Sequence, residues 1–131
     1  MIKTEDLRAA VADALKYVKR QKDVIDAEVF ASWNDLITIR LNYTSDIPCN
    51  GIHEPKSIQS YGLGILATFK KGNRIETGFG SATNDLTEEG VLEALTKAKR
   101  NRVYDPGFKT LPELVGKPVL ANYHDNRVMK I

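Results

Sequence analysis

Hydrophobic positions along the chain follow two periods. Leu7, Val11, Ala14, Leu15 and Val18 recur every three or four residues and share one face of a helix expected over residues 4–21. Thr4 is its expected cap, with Glu5 and Asp6 at the positive end and Lys16, Lys19 and Arg20 near the negative end. From Asp26 the period falls to two. Ala27, Val29 and Ala31 alternate with Glu28, Phe30 and Ser32, and after Trp33-Asn34-Asp35 so do Ile37, Ile39 and Leu41 with Thr38, Arg40 and Asn42. That pattern predicts a hairpin turning at Trp33-Asn34-Asp35, with one face more apolar than the other.

Residues 44–59 hold two prolines, Cys49 and an Asn50-Gly51 pair, and are expected to form a loop. A third strand is expected over 61–69 and a fourth over 75–81, joined by a turn at Lys71-Gly72-Asn73. Thr87 is a second N-cap, with Leu86 and Val91 as a hydrophobic staple, Glu88 and Glu89 in the first turn, and Lys97, Lys99 and Arg100 in the last. Val91, Leu92, Leu95 and Ala98 are its expected buried face. Asp105-Pro106-Gly107, Leu111-Pro112 and Lys117-Pro118 then mark an extended arm. The expected order is α-β-β-β-β-α plus that arm, an α+β domain over 1–102 with two helices on one face of an antiparallel sheet, followed by 103–131.

Composition narrows the function classes. With 42% hydrophobic and 27% charged residues, the chain of 131 residues can bury one core. Its longest run free of charge, residues 57–69, is too short to cross a bilayer as a helix, and the charged N-terminus does not read as a signal peptide. The expected location is the cytoplasm, which a single cysteine also suits. A net charge of +2 is too small to argue for a nucleic-acid or membrane partner.

Four constellations suggest chemistry. Gly62-Leu63-Gly64-Ile65-Leu66-Ala67, with Asp85 downstream, matches a dinucleotide fingerprint, but that motif needs a helix after the glycines and here the strand pattern continues. Cys49, His53 and Glu54 could begin a metal cluster. The zinc-protease helix motif fails, however, because Ser57 stands where its second histidine belongs, Pro55 opposes a helix, and His124 is far away. Lys70, Lys71 and Arg74 at one turn, with Lys97, Lys99 and Arg100 at a helix end, would be the RNA contacts of a self-standing binding module. Phe30 and Trp33 read as sheet packing rather than a base-stacking platform. No catalytic or metal residue is assigned.

A resemblance covers nearly the whole chain. Ser60-Tyr61-Gly62-Leu63-Gly64-Ile65, the Lys71-Gly72-Asn73 turn, and Gly78-Phe79-Gly80-Ser81-Ala82-Thr83-Asn84-Asp85-Leu86-Thr87-Glu88-Glu89 resemble the N-terminal domain of the TldD/PmbA family, zinc peptidases once called modulators of DNA gyrase. Asp26-Ala27-Glu28-Val29, Asn50-Gly51, and Asp105-Pro106-Gly107-Phe108 with Leu111-Pro112 extend the likeness. Leu66 departs from an arginine usual in the family, and residues 44–49 read as an insertion. The resemblance implies a non-catalytic domain that helps form a peptide channel and a dimer. Zinc and its ligands would belong to a C-terminal domain absent from this chain, toward which residues 103–131 lead. The implied partners are an unfolded peptide or protein and a family paralogue or second copy, with no membrane or nucleic acid. Gly62, Gly64, Gly78 and Gly80 are the candidate peptide-contact positions, because glycine lets another backbone approach closely.

Overall fold

The computed structural model describes residues 2–42, 51–113, 115, 116 and 127. Its elements run α1 (Thr4–Lys19), β1 (Val24–Asn42), β2 (Gly51–Lys71), β3 (Arg74–Thr83), α2 (Glu88–Arg100) and β4 (Val103–Tyr104). The strands form one antiparallel sheet in the order β1-β2-β3-β4. Two helices and a four-stranded antiparallel sheet make the α+β fold that the periodicity predicts. Ala27 of β1, Leu63, Ile65, Ala67 and Phe69 of β2, and Ala82 of β3 share a single core with both helices, so the helices cover one face. That face is called inner below.

The helices bury the stripes expected of them, with small differences. Ala14 and Val18 are the buried residues of α1. Its N-cap is Lys3 rather than Thr4, because the Lys3 N–H donates to the Asp6 carboxylate at 2.8 Å and Thr4 is already in the first turn. In α2 the buried stripe is Val91, Ala94, Leu95 and Ala98, a clean i, i+3, i+4, i+7 set, and Leu92 lies off it in solvent. The two layers are also tied at their rims. Lys99 of α2 donates to Asp23 beside β1 at 3.0 Å, and the largely buried Glu76 carboxylate lies 3.1 Å from Lys71 and 3.9 Å from Arg102.

Two expectations about the strands are overturned. The segment over 26–42 is no hairpin. β1 runs straight through Trp33, Asn34 and Asp35, which pair with Tyr61, Ser60 and Gln59 of β2. Residues 51–59 are not loop either, since β2 begins at Gly51. The two turn signals fail for one reason: each segment finds the other as a partner, and cross-strand pairing outweighs weak local turn preference. Asp35, for instance, accepts from the Ser57 hydroxyl and the Gln59 amide at 3.4 and 3.3 Å. Pro55 is accommodated at an irregularity of the β1–β2 register opposite Ile39, where Glu54 takes a left-handed φ of 41°, as befits a bulge. The turn at Gly72, with φ of 60°, is as expected.

Candidate functional site

Glycines placed by sequence at a peptide contact turn out to serve internal packing. A Cβ on Gly78 would meet the Ala98 carbonyl and one on Gly80 the Ala94 carbonyl, so these two residues let α2 settle directly on β3. A Cβ on Gly62 would meet the Ala82 carbonyl of the neighbouring strand, and one on Gly64 the Phe30 ring. Gly62 and Gly64 also pair on both sides, with Ser32 and Phe30 of β1 and with Thr83 and Ser81 of β3. Strand addition therefore has no open edge at Gly62 or Gly64. β2 continues as strand past Gly64, and no helix starts after the glycines, as a dinucleotide site would require.

The sheet has two edges, and they differ. On β3, the Asn101 amide donates to the Phe79 carbonyl at 3.3 Å and the Lys97 ammonium to the Ser81 carbonyl at 2.9 Å, while Val103 and Tyr104 pair beside Thr77 and Glu76. Side chains from α2 thus occupy the acceptors that a new strand would need. Since Phe79 and Ser81 turn their backbone outward, alternation through the register turns Ala27, Val29, Ala31 and Trp33 outward on β1. The Asp26 carboxylate accepts the Ala27 N–H at 2.8 Å, and no strand lies beyond β1 among the described residues. Among the described residues the open edge of the two-layer body is β1, and in residues 51–60 β2 too has no strand on its other side.

Beyond Trp33 and Tyr61 the pair β1–β2 leaves the two-layer body as a ribbon in which every residue of 34–42 and 52–60 is exposed. Its two faces are chemically distinct. Ile37, Ile39, Leu41 and Ile52 continue the inner face, whereas Thr38, Arg40, His53, Glu54 and Lys56 gather on the outer face and line one shallow hollow. On the outer face nearer the body, Phe30 crosses over Gly64 and stacks on Phe79 with ring centroids 6.3 Å apart. A groove of about 220 Å³ beside this pair is lined by Ser32, Ser60, Gly62, Ser81 and Thr83. A cleft of about 400 Å³ between α1 and α2, lined by Asp13, Tyr17, Arg20, Glu88 and Val91 among others, mixes charges of both signs.

The remaining sequence candidates are dispersed. His53 and Glu54 sit on the ribbon, Cys49 and His124 lie outside the described residues, and no group of three or more His, Cys, Asp or Glu among the described residues is placed to hold a metal ion. Four of the six basic candidates are drawn into internal contacts: Lys71 with Glu76, Lys97 with Glu93, Lys99 with Asp23, and Arg74 over the Tyr104 ring at 5.0 Å. Asp85 and Glu89, at the start of α2, are both held below the ordinary carboxylate range, first by the Thr87 hydroxyl at 2.7 and 2.8 Å. Asp85 also accepts the Thr87 N–H at 2.8 Å. No helix among the described residues is long and apolar enough to cross a membrane. Comparison with protein-family models, with curated proteins and with solved structures finds no match to this chain.

Proposed function

We propose that this chain is the non-catalytic N-terminal module of a TldD/PmbA-like zinc metallopeptidase, presenting unfolded peptide to a catalytic domain that lies outside it. The observation that supports this reading is the asymmetry of the sheet edges. Main-chain pairing recognises an extended peptide with little regard to its side chains, and it needs a strand whose outward N–H and C=O groups are unclaimed. Among the described residues β1 offers such groups at Val29, Ala31 and Trp33, while the side chains of Lys97 and Asn101 occupy those of β3. The peptide contact therefore moves from the glycine positions expected on β2 and β3 to the backbone of β1. Zinc, proton transfer and bond cleavage have no residue on this chain in this reading.

The test is to titrate the protein into fluorescein-labelled, reduced and carboxymethylated α-lactalbumin, an unfolded chain, and follow anisotropy. Ala31→Pro removes an outward N–H on an edge strand without touching the pairing to β2, a position where proline is tolerated. Binding should weaken by up to about tenfold in the folded variant, as loss of one central main-chain bond implies. Unchanged binding would falsify the edge assignment. The multidomain part is tested separately by the mass of the native species in its source cell: a species of 14.6 kDa overturns it.

A further inference from the structure

We infer that the outer face of the ribbon binds a small phosphomonoester, its phosphoryl group held by Thr38, Arg40, His53 and Lys56 and its apolar body laid on Leu36 and Ile58. This inference stands on the chemistry of the ribbon and does not rest on the peptidase reading.

The register of β1 and β2 assembles the polar half of the site. Thr38 lies directly opposite Lys56 and Arg40 directly opposite His53, and these four side chains with Glu54 line a hollow of about 40 Å³. A water molecule needs about 10–15 Å³ on the same measure, so the hollow has room for about three oxygens, the number a phosphoryl group presents. The donors suit that shape. Arg40 brings a planar fork of N–H groups, Lys56 an ammonium, Thr38 a hydroxyl, and His53 a ring N–H in either protonation state. Cross-strand neighbours have Cβ atoms only about 5 Å apart, so groups from these two rows can meet on one anion. A carboxylate brings two oxygens and one charge, whereas a phosphomonoester brings three oxygens and close to two charges and uses more of these donors.

The cations have charge to give. Among the described residues no ion pair or hydrogen bond engages the Arg40 guanidinium, and Lys56 meets Glu54 only at 3.9 Å with both side chains 68% exposed. An exposed pair at that distance contributes little. Glu54, set at the bulge by its left-handed φ of 41°, is the one acidic side chain lining the hollow and competes with an incoming anion for Lys56.

The apolar half is the next row toward the body. Leu36 pairs directly with Ile58 on the same outer face, both about half exposed and one strand repeat of about 7 Å from Thr38 and Lys56. That is close to the reach of an aryl phosphate. On the tip side the next row is Asn42 and Gly51, so an apolar body has one direction in which to lie.

The test is a titration of the whole chain with inorganic phosphate and with phenyl phosphate at neutral pH and constant ionic strength, followed through the His53 ring resonances. Both ligands should saturate, phenyl phosphate with a Kd of about 1 mM and inorganic phosphate at least about threefold weaker, because it has no ring to bury. Arg40→Gln should weaken both at least about tenfold, as loss of charge-assisted bonds implies. Glu54→Gln should tighten both. Leu36→Ser with Ile58→Ser should abolish the preference for phenyl phosphate and leave inorganic phosphate unchanged. A variant joining Asp35 to Gln59 through Asn-Gly keeps the body and deletes the hollow, and by amide resonances it should bind neither ligand. Shifts that never saturate, parent-like binding by Arg40→Gln, or binding that survives loss of the ribbon overturns the proposal. Unchanged or weaker binding by Glu54→Gln overturns the placement of the phosphoryl group, and a preference for phenyl phosphate that persists without Leu36 and Ile58 overturns the placement of its apolar body.

Discussion

Glycines of one strand pattern behave differently according to what faces them. At Gly80 the neighbour is the backbone of α2, which can retreat only by lifting the helix, so Gly80→Ala should destabilise the fold by about 1–3 kcal/mol in urea unfolding. At Gly64 the neighbour is the half-exposed Phe30 ring, which can swing into solvent, and Gly64→Ala should cost less than about 1 kcal/mol. Equal costs would contradict this distinction. The sequence shows that something approaches these glycines. It does not show that the approaching groups are Ala94, Ala98 and Phe30 of the same chain, because that depends on which strands become neighbours.

Thr87 has one hydroxyl proton for two carboxylates. The Asp85 carboxylate also accepts the Thr87 amide, whereas Glu89 takes from Thr87 the hydroxyl alone. Both acids are lowered in the folded state. Their contribution is therefore complete above the unfolded values of about 3.9 and 4.3, and is lost as pH falls through the lower folded values. Thr87→Val should raise the Glu89 titration midpoint, observed through its carboxyl carbon resonance, more than that of Asp85, which keeps the amide.

At the scale of elements, α1, α2 and the Gly72 turn were legible because each carries its own signal: a period of 3.6, charges matched to the helix ends, or a glycine at positive φ. β1 and β2 were legible only in part. Where α1 and α2 cover the sheet, burial enforces alternation. In the ribbon neither face is covered, and residues such as Asn34, Asp35 and Ser57, which read as turn or loop, remain in strand through their partners across the ribbon. A ribbon held this way adds little to the core. The variant joining Asp35 to Gln59 through Asn-Gly should melt within about 5 °C of the parent under conditions where both are monomeric, by circular dichroism. A far larger loss would mean that the ribbon supports the body.

At the scale of the whole molecule, the α+β fold followed from patterning, but the candidate site did not, because an edge is a property of strand order. The open backbone of β1 and the covered backbone of β3 exist only once β2 lies between them and α2 lies across β3. Residues 103 and 104 show the same dependence: they belong to a segment that reads as a departing arm, and they return to pair beside Glu76 and Thr77.

The length of the ribbon also governs the order in which the chain can assemble. The pair Val24 and Phe69 lies far apart in sequence, but the antiparallel register allows it to be reached stepwise from Asn42 and Gly51, each pair shortening the search for the next. If residues 36–58 are replaced by a Gly/Ser segment of equal length, Asp35 must find Gln59 by diffusion at an entropic cost of about 3 kcal/mol, against less than about 1 kcal/mol for an Asn-Gly turn. In stopped-flow refolding followed through Trp33, the single tryptophan, the Gly/Ser chain should fold at least about tenfold more slowly than the tight-turn chain. Exposed along its whole length and nearly dispensable to equilibrium stability, the ribbon acts in time as a zipper that brings the core strands together.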